Sequence, residues 1–458
     1  MTQNKERHGI SKALKRFYGI GDFGFNMMAN VDTFFASFFF TNIARFSLSV
    51  YTISTTISAV VDAILSCVYG AWLNKIKPHK WGRYRSWLIL TPWLVPFLYA
   101  MQYIKLSDGI WGITFITIAM ITSRIAWNIP FVANISMINV AGKNTTERME
   151  LSAIRAVYTA LSNVVFSYLG PAAVAVFAAM LGEHNAYAAA AFVFSALMAA
   201  GYYAHFKMFE GYEEPGEAEI QRLAKEAAER KEEKKAQKVS AIAAVTCNPH
   251  LIGLMLADVA KYMVMFLVYG LAIYYFLYVS HNDALLATFM LAANIMGVIS
   301  SYVSKFIVAK LGAKNTVVIS YLAMAVTMIA AYLMYTQTFM VIALMCIMMF
   351  FLMLTLACDP ELFAACSVYS SEKLGYDTTG TIMGLSAVPI KIGVVARGIL
   401  IAWILSIAGF DAAIAPELAS AAMQRGISMG FTIVPAVTIL IGAVIMAVGY
   451  KLKNEQHG

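Results

Sequence analysis

The chain has 458 residues, of which 60% are hydrophobic and only 13% charged, and its formal net charge is +8. A water-soluble domain has about 25% charged residues, so this composition excludes an ordinary soluble protein and favours a chain that lies in the bilayer. The positive charge does not indicate a nucleic-acid partner, because the lysines and arginines lie in short segments between apolar runs.

Membrane-spanning helices are predicted along the whole chain. Residues 1–19 are basic and polar, and the apolar run that follows is too long for a signal-peptide core and has no small-residue cleavage site, so we expect it to be retained. A helix needs about 20 apolar residues to cross the hydrocarbon core. The runs that meet this length predict twelve spans, at 22–44, 47–74, 86–106, 110–140, 151–181, 186–208, 249–279, 284–309, 315–335, 338–358, 379–409 and 428–450.

The distribution of basic residues predicts the orientation. Most of the 34 lysines and arginines lie in segments that are cytoplasmic if both termini are inside, whereas outer segments contain Arg45, Lys105 and Arg425. We therefore expect a multi-pass protein of the plasma membrane with cytoplasmic termini. The charged segment 209–248 divides the chain into lobes 1–208 and 249–458 with six spans each; it is also compatible with a plain spacer.

The sequence contains no motif of a soluble enzyme and no spacing of metal ligands, and we expect neither an enzyme activity nor a bound cofactor or metal. The cysteines show no disulfide framework and are interpreted as small apolar residues. They are Cys67, Cys247, Cys346, Cys358 and Cys366.

Charged residues inside the spans of the first half are the main candidates for function. Each costs ~2.5–3.5 kcal/mol at the bilayer centre, so each needs a partner or a role. Helical spacing places polar neighbours on the same faces. The candidates are Asp22 with Asn26, Asp32, Asp62 with Ser66, Arg124 with Trp127 and Asn128, and Arg155. These groups either neutralise one another as buried ion pairs or bind a cation and a polar solute.

The second half contains fewer such residues. Asp258 and Lys261 are three positions apart, which predicts a pair within one helix. Lys391 follows Pro389, and a lysine beside a proline kink deep in a span is a candidate for contacting a solute. Residues 359–361 (Asp-Pro-Glu) are expected to end the tenth span and to pair with cytoplasmic lysines.

The loop after the second span reads Trp-Gly-Arg-Tyr-Arg-Ser-Trp over residues 81–87. A basic cytoplasmic loop follows from topology alone. Its arginines, Arg83 and Arg85, are more specific, because they are placed to pair with acids at helix ends. We predict that they form a cytoplasmic gate that holds the two lobes closed.

The order and spacing of several segments resemble one family, the glycoside–pentoside–hexuronide:cation symporters of the melibiose-permease type, within the major facilitator superfamily. The first-half segments match best, and in the second half the match is centred on Lys391. The matching segments are Tyr-Gly-Ile-Gly-Asp-Phe-Gly-Phe-Asn at 18–26, Val-Asp-Ala at 61–63, residues 81–87, Asn-Ile-Pro-Phe at 128–131, and Glu147-Arg148 with Leu151 and Arg155.

The resemblance implies symport of a sugar-like solute with H⁺ or Na⁺ through the major facilitator fold. It places the acid of the cation site at Asp62 and the substrate-binding basic residues at Arg155 and Lys391. The sequence departs from the family where a second cation-site acid is replaced by Ser66. It also departs where the sugar-binding acids are replaced by Asn26 and Asn128.

We therefore predict an all-α membrane protein with twelve spans, acting as a monomeric cation-coupled symporter of a glycoside, pentoside or hexuronide by alternating access. The predicted coupling residues are Asp62, Asn26, Ser66, Asn128 and Asp32, and the predicted substrate-binding residues are Arg155, Lys391, Arg124, Trp127, Asn128 and Asp22. A lone carboxylate at Asp62 favours H⁺ over Na⁺. The alternatives are a weak sodium site, or an Asp62 held by an arginine. For the protein as a whole they are a carrier of organic anions or lipids, an exporter, or a membrane sensor.

Overall fold

In the residues that the structure describes, the regular secondary structure is helical. The computed structural model describes residues 10–75, 80–142, 145–213, 241–375 and 378–452. In the first half the helices are α1 Lys12–Phe17, α2 Ile20–Phe38, α3 Leu48–Lys75, α4 Trp87–Leu90, α5 Val95–Met101, α6 Ile110–Ala141, α7 Thr145–Leu181 and α8 Glu183–Met208. In the second half they are α9 Ala241–Thr246, α10 Pro249–Tyr274, α11 Ala284–Leu311, α12 Ala313–Leu333, α13 Thr338–Leu374, α14 Thr379–Leu385, α15 Ala387–Ile407, α16 Ala421–Phe431 and α17 Ile433–Gly449.

Each predicted span corresponds to a helix or to consecutive helices. Nine segments of the described residues are long and apolar enough to cross a membrane. The other three predicted spans correspond to α2, α3 and the shorter apolar segment Trp87–Met101. The prediction of an all-α, multi-pass membrane protein is confirmed.

The chain divides into two units, Met1–Phe46 with Ile53–Glu233 and Ser47–Thr52 with Lys234–Gly458. In the first unit α2 packs against α7 and α8, and in the second α10 packs against α15 and α17. Most of the predicted linker, residues 214–240, lies outside the described residues. The predicted lobe boundaries at 208 and 249 stay a prediction.

Two predicted spans are broken by proline. The helix α14 ends at Leu385, four residues before Pro389, and α16 ends at Phe431, four residues before Pro435. Proline has no N–H to donate to the carbonyl four positions earlier, so the helix is interrupted at that carbonyl. The kink predicted at Pro389 is therefore present as a break at Ser386, about one and a half turns before Lys391.

The tenth predicted span is longer than expected. The helix α13 continues to Leu374 and contains Pro360 without a break, so residues 359–361 do not end it. Asp359 consequently lies inside the helix, which changes its expected partners.

The two units repeat an unusual backbone feature at the end of their first long helix. The helix α2 continues as a π-helical turn, Phe39–Ile43, and α10 continues as Tyr275–Val279. Two positions after each turn stands a non-glycine residue in the left-handed region, Arg45 at φ 53° and His281 at φ 52°. The same device at the same place in both halves is the signature of an internal structural repeat.

Close helix contact holds α2 against α8. A Cβ on Gly24 would lie 2.6 Å from the backbone Cα of Met198, and a Cβ on Gly201 would lie 2.8 Å from the carbonyl oxygen of Ile20. Glycines at such crossings let two backbones approach, which is how membrane helices gain van der Waals contact. This approach fixes the start of α2, where Asp22 lies.

Candidate functional site

A bidentate ion pair joins α2 to α7 in the first unit. Arg155 donates from Nε to Oδ2 of Asp22 at 2.8 Å and from a terminal nitrogen to Oδ1 at 2.5 Å. Asp22 is 2% exposed. A bidentate arginine–carboxylate pair fixes both side chains and neutralises both charges. The structure thus brings together two of the predicted substrate-binding residues.

A hydrogen-bond network that contains a neutral histidine extends from Asp22. The Asn134 amide nitrogen lies 3.4 Å from Oδ2 of Asp22, and its oxygen lies 2.7 Å from Nδ1 of His205. The backbone N–H of Gly21 donates to Nε2 of His205 at 3.1 Å. Because Nε2 accepts this bond, the proton of the ring is assigned to Nδ1, which donates to Asn134, and the imidazole is neutral. Tyr18 completes the network by donating to the carbonyl oxygen of Asn134.

Sequence reasoning missed Asn134 and His205. Asn134 lies about 120° around α6 from Asn128 but only about 20° from Trp127, seven residues earlier, so helical spacing could have added it to the predicted site. His205 is in the last turn of α8, where a histidine resembles an ordinary helix-end residue. The packing of α6 and α8 near the start of α2 brings Asn134 to Asp22 and His205 to Asn134.

A second ion pair lies further along α2. A terminal nitrogen of Arg124 is 3.6 Å from Oδ2 of Asp32, and the two side chains are 12% and 19% exposed. The Nε of Arg124 is buried and has no hydrogen-bond partner in the described part of the chain. The buried Nε–H group of Arg124 is therefore available as a hydrogen-bond donor beside this ion pair.

The predicted cation residue Asp62 contacts an amide. The Asn128 side chain donates to Oδ1 of Asp62 at 2.5 Å and also to the backbone carbonyl of Arg124. Asp62 and Asn128 are 4% and 3% exposed, respectively. The structure brings these two predicted coupling residues together across α3 and α6. The side chain of Ser66 lies outside the described residues.

Asn26 and Trp127 have separate surroundings. The Asn26 amide donates to the backbone carbonyl of Asp22 and to the Thr159 hydroxyl, which ties α2 to α7. The ring centroid of Trp127 is 5.3 Å from that of Phe25. The described contacts of Asn26 connect it to the Asp22 site rather than to Asp62.

Arg85 ties the loop after α3 to the end of α8. Its Nε donates to the carbonyl of Phe206 at 2.8 Å, its guanidinium lies 4.3 Å from the Phe206 ring centroid, and its backbone N–H donates to Glu213. Burial lowers the pKa of Arg85, and the charges of Glu210 and Glu213 oppose this change. These contacts lie within the first unit. The role of Arg83 and Arg85 as a gate stays a prediction.

In the second unit the structure extends one prediction and corrects another. Lys261 pairs with Asp258 at 2.7 Å, as the spacing predicts. It also pairs with Asp359 on α13 at 2.6 Å. The expectation that Asp359 pairs with cytoplasmic lysines is wrong, because α13 continues past it and places it opposite α10. Lys391 is half-buried on α15.

These features describe a helical membrane protein with two repeated units and buried, paired charges. The sequence model of the MFS/sugar transport protein family matches residues 17–454. The chain belongs to this family. The predicted major facilitator fold and the predicted family are confirmed, and the chain is a membrane transporter.

Solved structures show the same fold at low sequence identity. A D-xylose-proton symporter matches with a TM-score of 0.64 at 11% identity, covering 96% of this transporter and 98% of that chain. A point mutant of the nucleoside transporter NupG matches at 0.61 and 11%, covering 96% and 100%. A POT family transporter in complex with 5-aminolevulinic acid matches at 0.61 and 12%, covering 96% of each chain. No curated protein matches this transporter.

Proposed function

We propose that this transporter carries a sugar or sugar-like solute, a glycoside, pentoside or hexuronide, in symport with a monovalent cation by alternating access. The observation that carries the proposal is the buried Asp62–Asn128 contact in a unit that also holds two arginine–carboxylate pairs. We further propose that the protein acts as a monomer in the plasma membrane with both termini in the cytoplasm.

The balance of charges supports an uncharged sugar over an organic anion, and among the proposed solutes it favours a glycoside or pentoside over a hexuronide. Arg155 and Arg124 each contact a carboxylate, Asp22 and Asp32. Paired groups of this kind offer fixed donors and acceptors to hydroxyl groups, whereas an anion-binding site favours positive charge in excess. The aromatic rings of Trp127 and Phe25 add an apolar face. The neutral Asn26 and Asn128 disfavour a galactoside of the melibiose type.

The environment of Asp62 supports coupling to a cation. A carboxylate that is 4% exposed is costly to keep charged in a membrane, and binding of H⁺ or Na⁺ neutralises it. Sodium prefers several oxygen ligands, and a proton needs one. Asn128 directs its N–H group, not its oxygen, at Asp62. We therefore propose H⁺ as the coupling ion, with Na⁺ as the alternative.

The decisive experiment is uptake by proteoliposomes. Purified protein is reconstituted and offered labelled pentoses, hexoses, glycosides, hexuronides and organic acids under an imposed proton gradient, an imposed sodium gradient, or neither. We expect at least one sugar-like compound to accumulate against its gradient when protons flow inward. Accumulation of organic acids alone would replace the sugar proposal by that of an anion carrier, and protein-free liposomes control for leakage.

A further inference from the structure

A second cluster of buried charges lies in the second unit and includes none of the proposed coupling or substrate-binding residues. Lys261 Nζ donates to Oδ1 of Asp258 at 2.7 Å and to the two carboxylate oxygens of Asp359 at 2.7 and 2.6 Å. The side chains of Lys261, Asp258 and Asp359 are 0%, 2% and 15% exposed. One ammonium group thus lies between two carboxylates, and with all three groups ionised the cluster has one excess negative charge.

The helices packed around this cluster contribute mostly neutral groups. Tyr321 on α12 donates its hydroxyl to the carbonyl of Ala257, and the ring of Tyr262 lies 5.1 Å from Nζ of Lys261. On α13, Cys358 is buried and Glu361 is exposed. The helix α17, which also packs on α10, contains no titratable residue.

The two basic residues of α15, Lys391 and Arg397, lie away from this cluster. Arg397 packs beside Gly270, nine residues, or about 13 Å of helix, beyond Lys261. Lys391 is two positions, or about 200° around the helix, from Gly393, which packs against Tyr262. Lys391 is therefore on the side of α15 away from that contact.

One oxygen of the cluster is left without a partner. Oδ2 of Asp258 is buried and accepts no hydrogen bond in the described part of the chain. A charged oxygen without a donor is among the most costly groups to bury, and a neutral hydroxyl at the same position costs less. The excess charge and the unpartnered oxygen both favour the addition of one proton.

We propose that Asp258 and Asp359 together bind one exchangeable proton, with Lys261 remaining charged, so that the second unit has a proton-binding site of its own. On binding, a proton from water forms an O–H bond with one carboxylate oxygen, and the net charge of the cluster goes from −1 to 0. This inference deepens the cation coupling proposed above. Its test needs no solute and no Asp62, so its failure is distinguishable from failure of the proposed transport.

The test is infrared difference spectroscopy of the purified full-length protein in detergent between about pH 6 and about pH 9. Exposed carboxylates are ionised at both ends of this interval, so they contribute little to the difference spectrum. A protonated carboxylic acid is recognised by its C=O stretch, which shifts when the water is exchanged for D₂O. Asp62 is present in every sample compared, so its contribution cancels in the comparison.

We expect Asp359→Asn and Asp258→Asn each to remove one carboxylic acid band, because the remaining carboxylate is then neutralised by Lys261. Glu361→Gln, an exposed acid two residues from Asp359, should leave the band unchanged. Lys261→Gln should make the band persist at the higher pH, because it removes the positive charge. A purely structural ion cluster predicts none of these changes.

Retention of the full band in both aspartate variants would overturn the proposal. Should Asp258→Asn fail to accumulate in the membrane, Asp359→Asn alone decides, because it leaves the pair between Asp258 and Lys261 on α10 intact.

Discussion

Arg155 and Asp22 form a two-pronged ion pair between α7 and α2, although 133 positions separate them in the chain. The resemblance of the sequence to symporters implies that Arg155 contacts the solute, and in the structure the charge of Arg155 is matched by that of Asp22. The two hydrogen bonds to Asp22 use two of the five N–H groups of the guanidinium, so the others remain as donors for the hydroxyl groups of a solute. The pair therefore orients Arg155 without using all of its donors.

The first prediction separates a structural role of this pair from a role in transport. Arg155→Gln should reduce membrane abundance, because removing one partner of a buried ion pair typically costs about 3–5 kcal/mol. The double variant Asp22→Asn with Arg155→Gln should recover abundance, measured by fluorescence-detected size-exclusion chromatography, but should not transport. Recovery of uptake in the double variant would show that the pair is structural.

Sequence reasoning predicts contacts between residues that are close together in the chain and misses contacts between distant ones. Asp258 with Lys261 is predictable because helix geometry places positions three apart on one face. Asp22 with Arg155 and Lys261 with Asp359 depend on which helices pack together, and neither apolar periodicity nor charge content encodes that. The resemblance to a family supplied candidate residues, but not their partners.

Prolines show the same limit of sequence-based prediction for the helices. Pro389 and Pro435 interrupt their helices, whereas Pro130, Pro171 and Pro360 lie within continuous ones. All five remove the same backbone donor. Neighbouring helices decide whether the loss is accommodated, so the sequence predicts the location of a weakness but not a break.

A second prediction concerns the contact between α2 and α8. Gly24→Ala should destabilise the protein by about 1–3 kcal/mol, because the added Cβ would lie 2.6 Å from the backbone of Met198. Gly384→Ala is the matched control, since no atom outside its own helix lies within 4 Å of its added Cβ. Thermal unfolding in detergent, followed by tryptophan fluorescence, should show a lower midpoint for Gly24→Ala only.

A third prediction concerns orientation. In a variant without the five native cysteines, a cysteine at Ala227 should resist an impermeant thiol reagent in intact cells, because the basic residues place this segment inside. Ala227 lies outside the described residues, so this expectation rests on the sequence. A cysteine at the exposed Ala413, in the predicted outer loop after α15, should be labelled. Labelling at position 227 and protection at position 413 would show that the orientation is the reverse of the predicted one.

A fourth prediction concerns Lys391. Lys391→Gln should abolish uptake of the solute found in the proteoliposome screen and leave membrane abundance near that of the wild type, because the half-buried lysine is proposed to hydrogen-bond the solute. Lys310→Gln, at the exposed end of α11, is the control and should transport normally. Normal uptake by Lys391→Gln would remove this residue from the proposed site.

The last prediction concerns Asp62 and separates coupling from binding. Asp62→Asn keeps the shape of the side chain but can neither bind a proton nor attract a cation. If Asp62 carries the coupling proton, this variant should lose uptake driven by a proton gradient. It should keep exchange of labelled for unlabelled solute at equal concentrations, because exchange needs the alternation of the loaded protein and no net movement of the proton.

The outcome depends on how Asp62 is held in the structure. Asn128 donates to Asp62, and the variant amide at position 62 can accept this bond through its oxygen, so the contact between α3 and α6 should survive. Loss of exchange together with uptake would therefore assign Asp62 to solute binding or to folding, which abundance measurements then distinguish. Unchanged gradient-driven uptake by Asp62→Asn would exclude Asp62 from coupling. Wild-type uptake that requires sodium at every pH would replace the proton by sodium as the coupling ion.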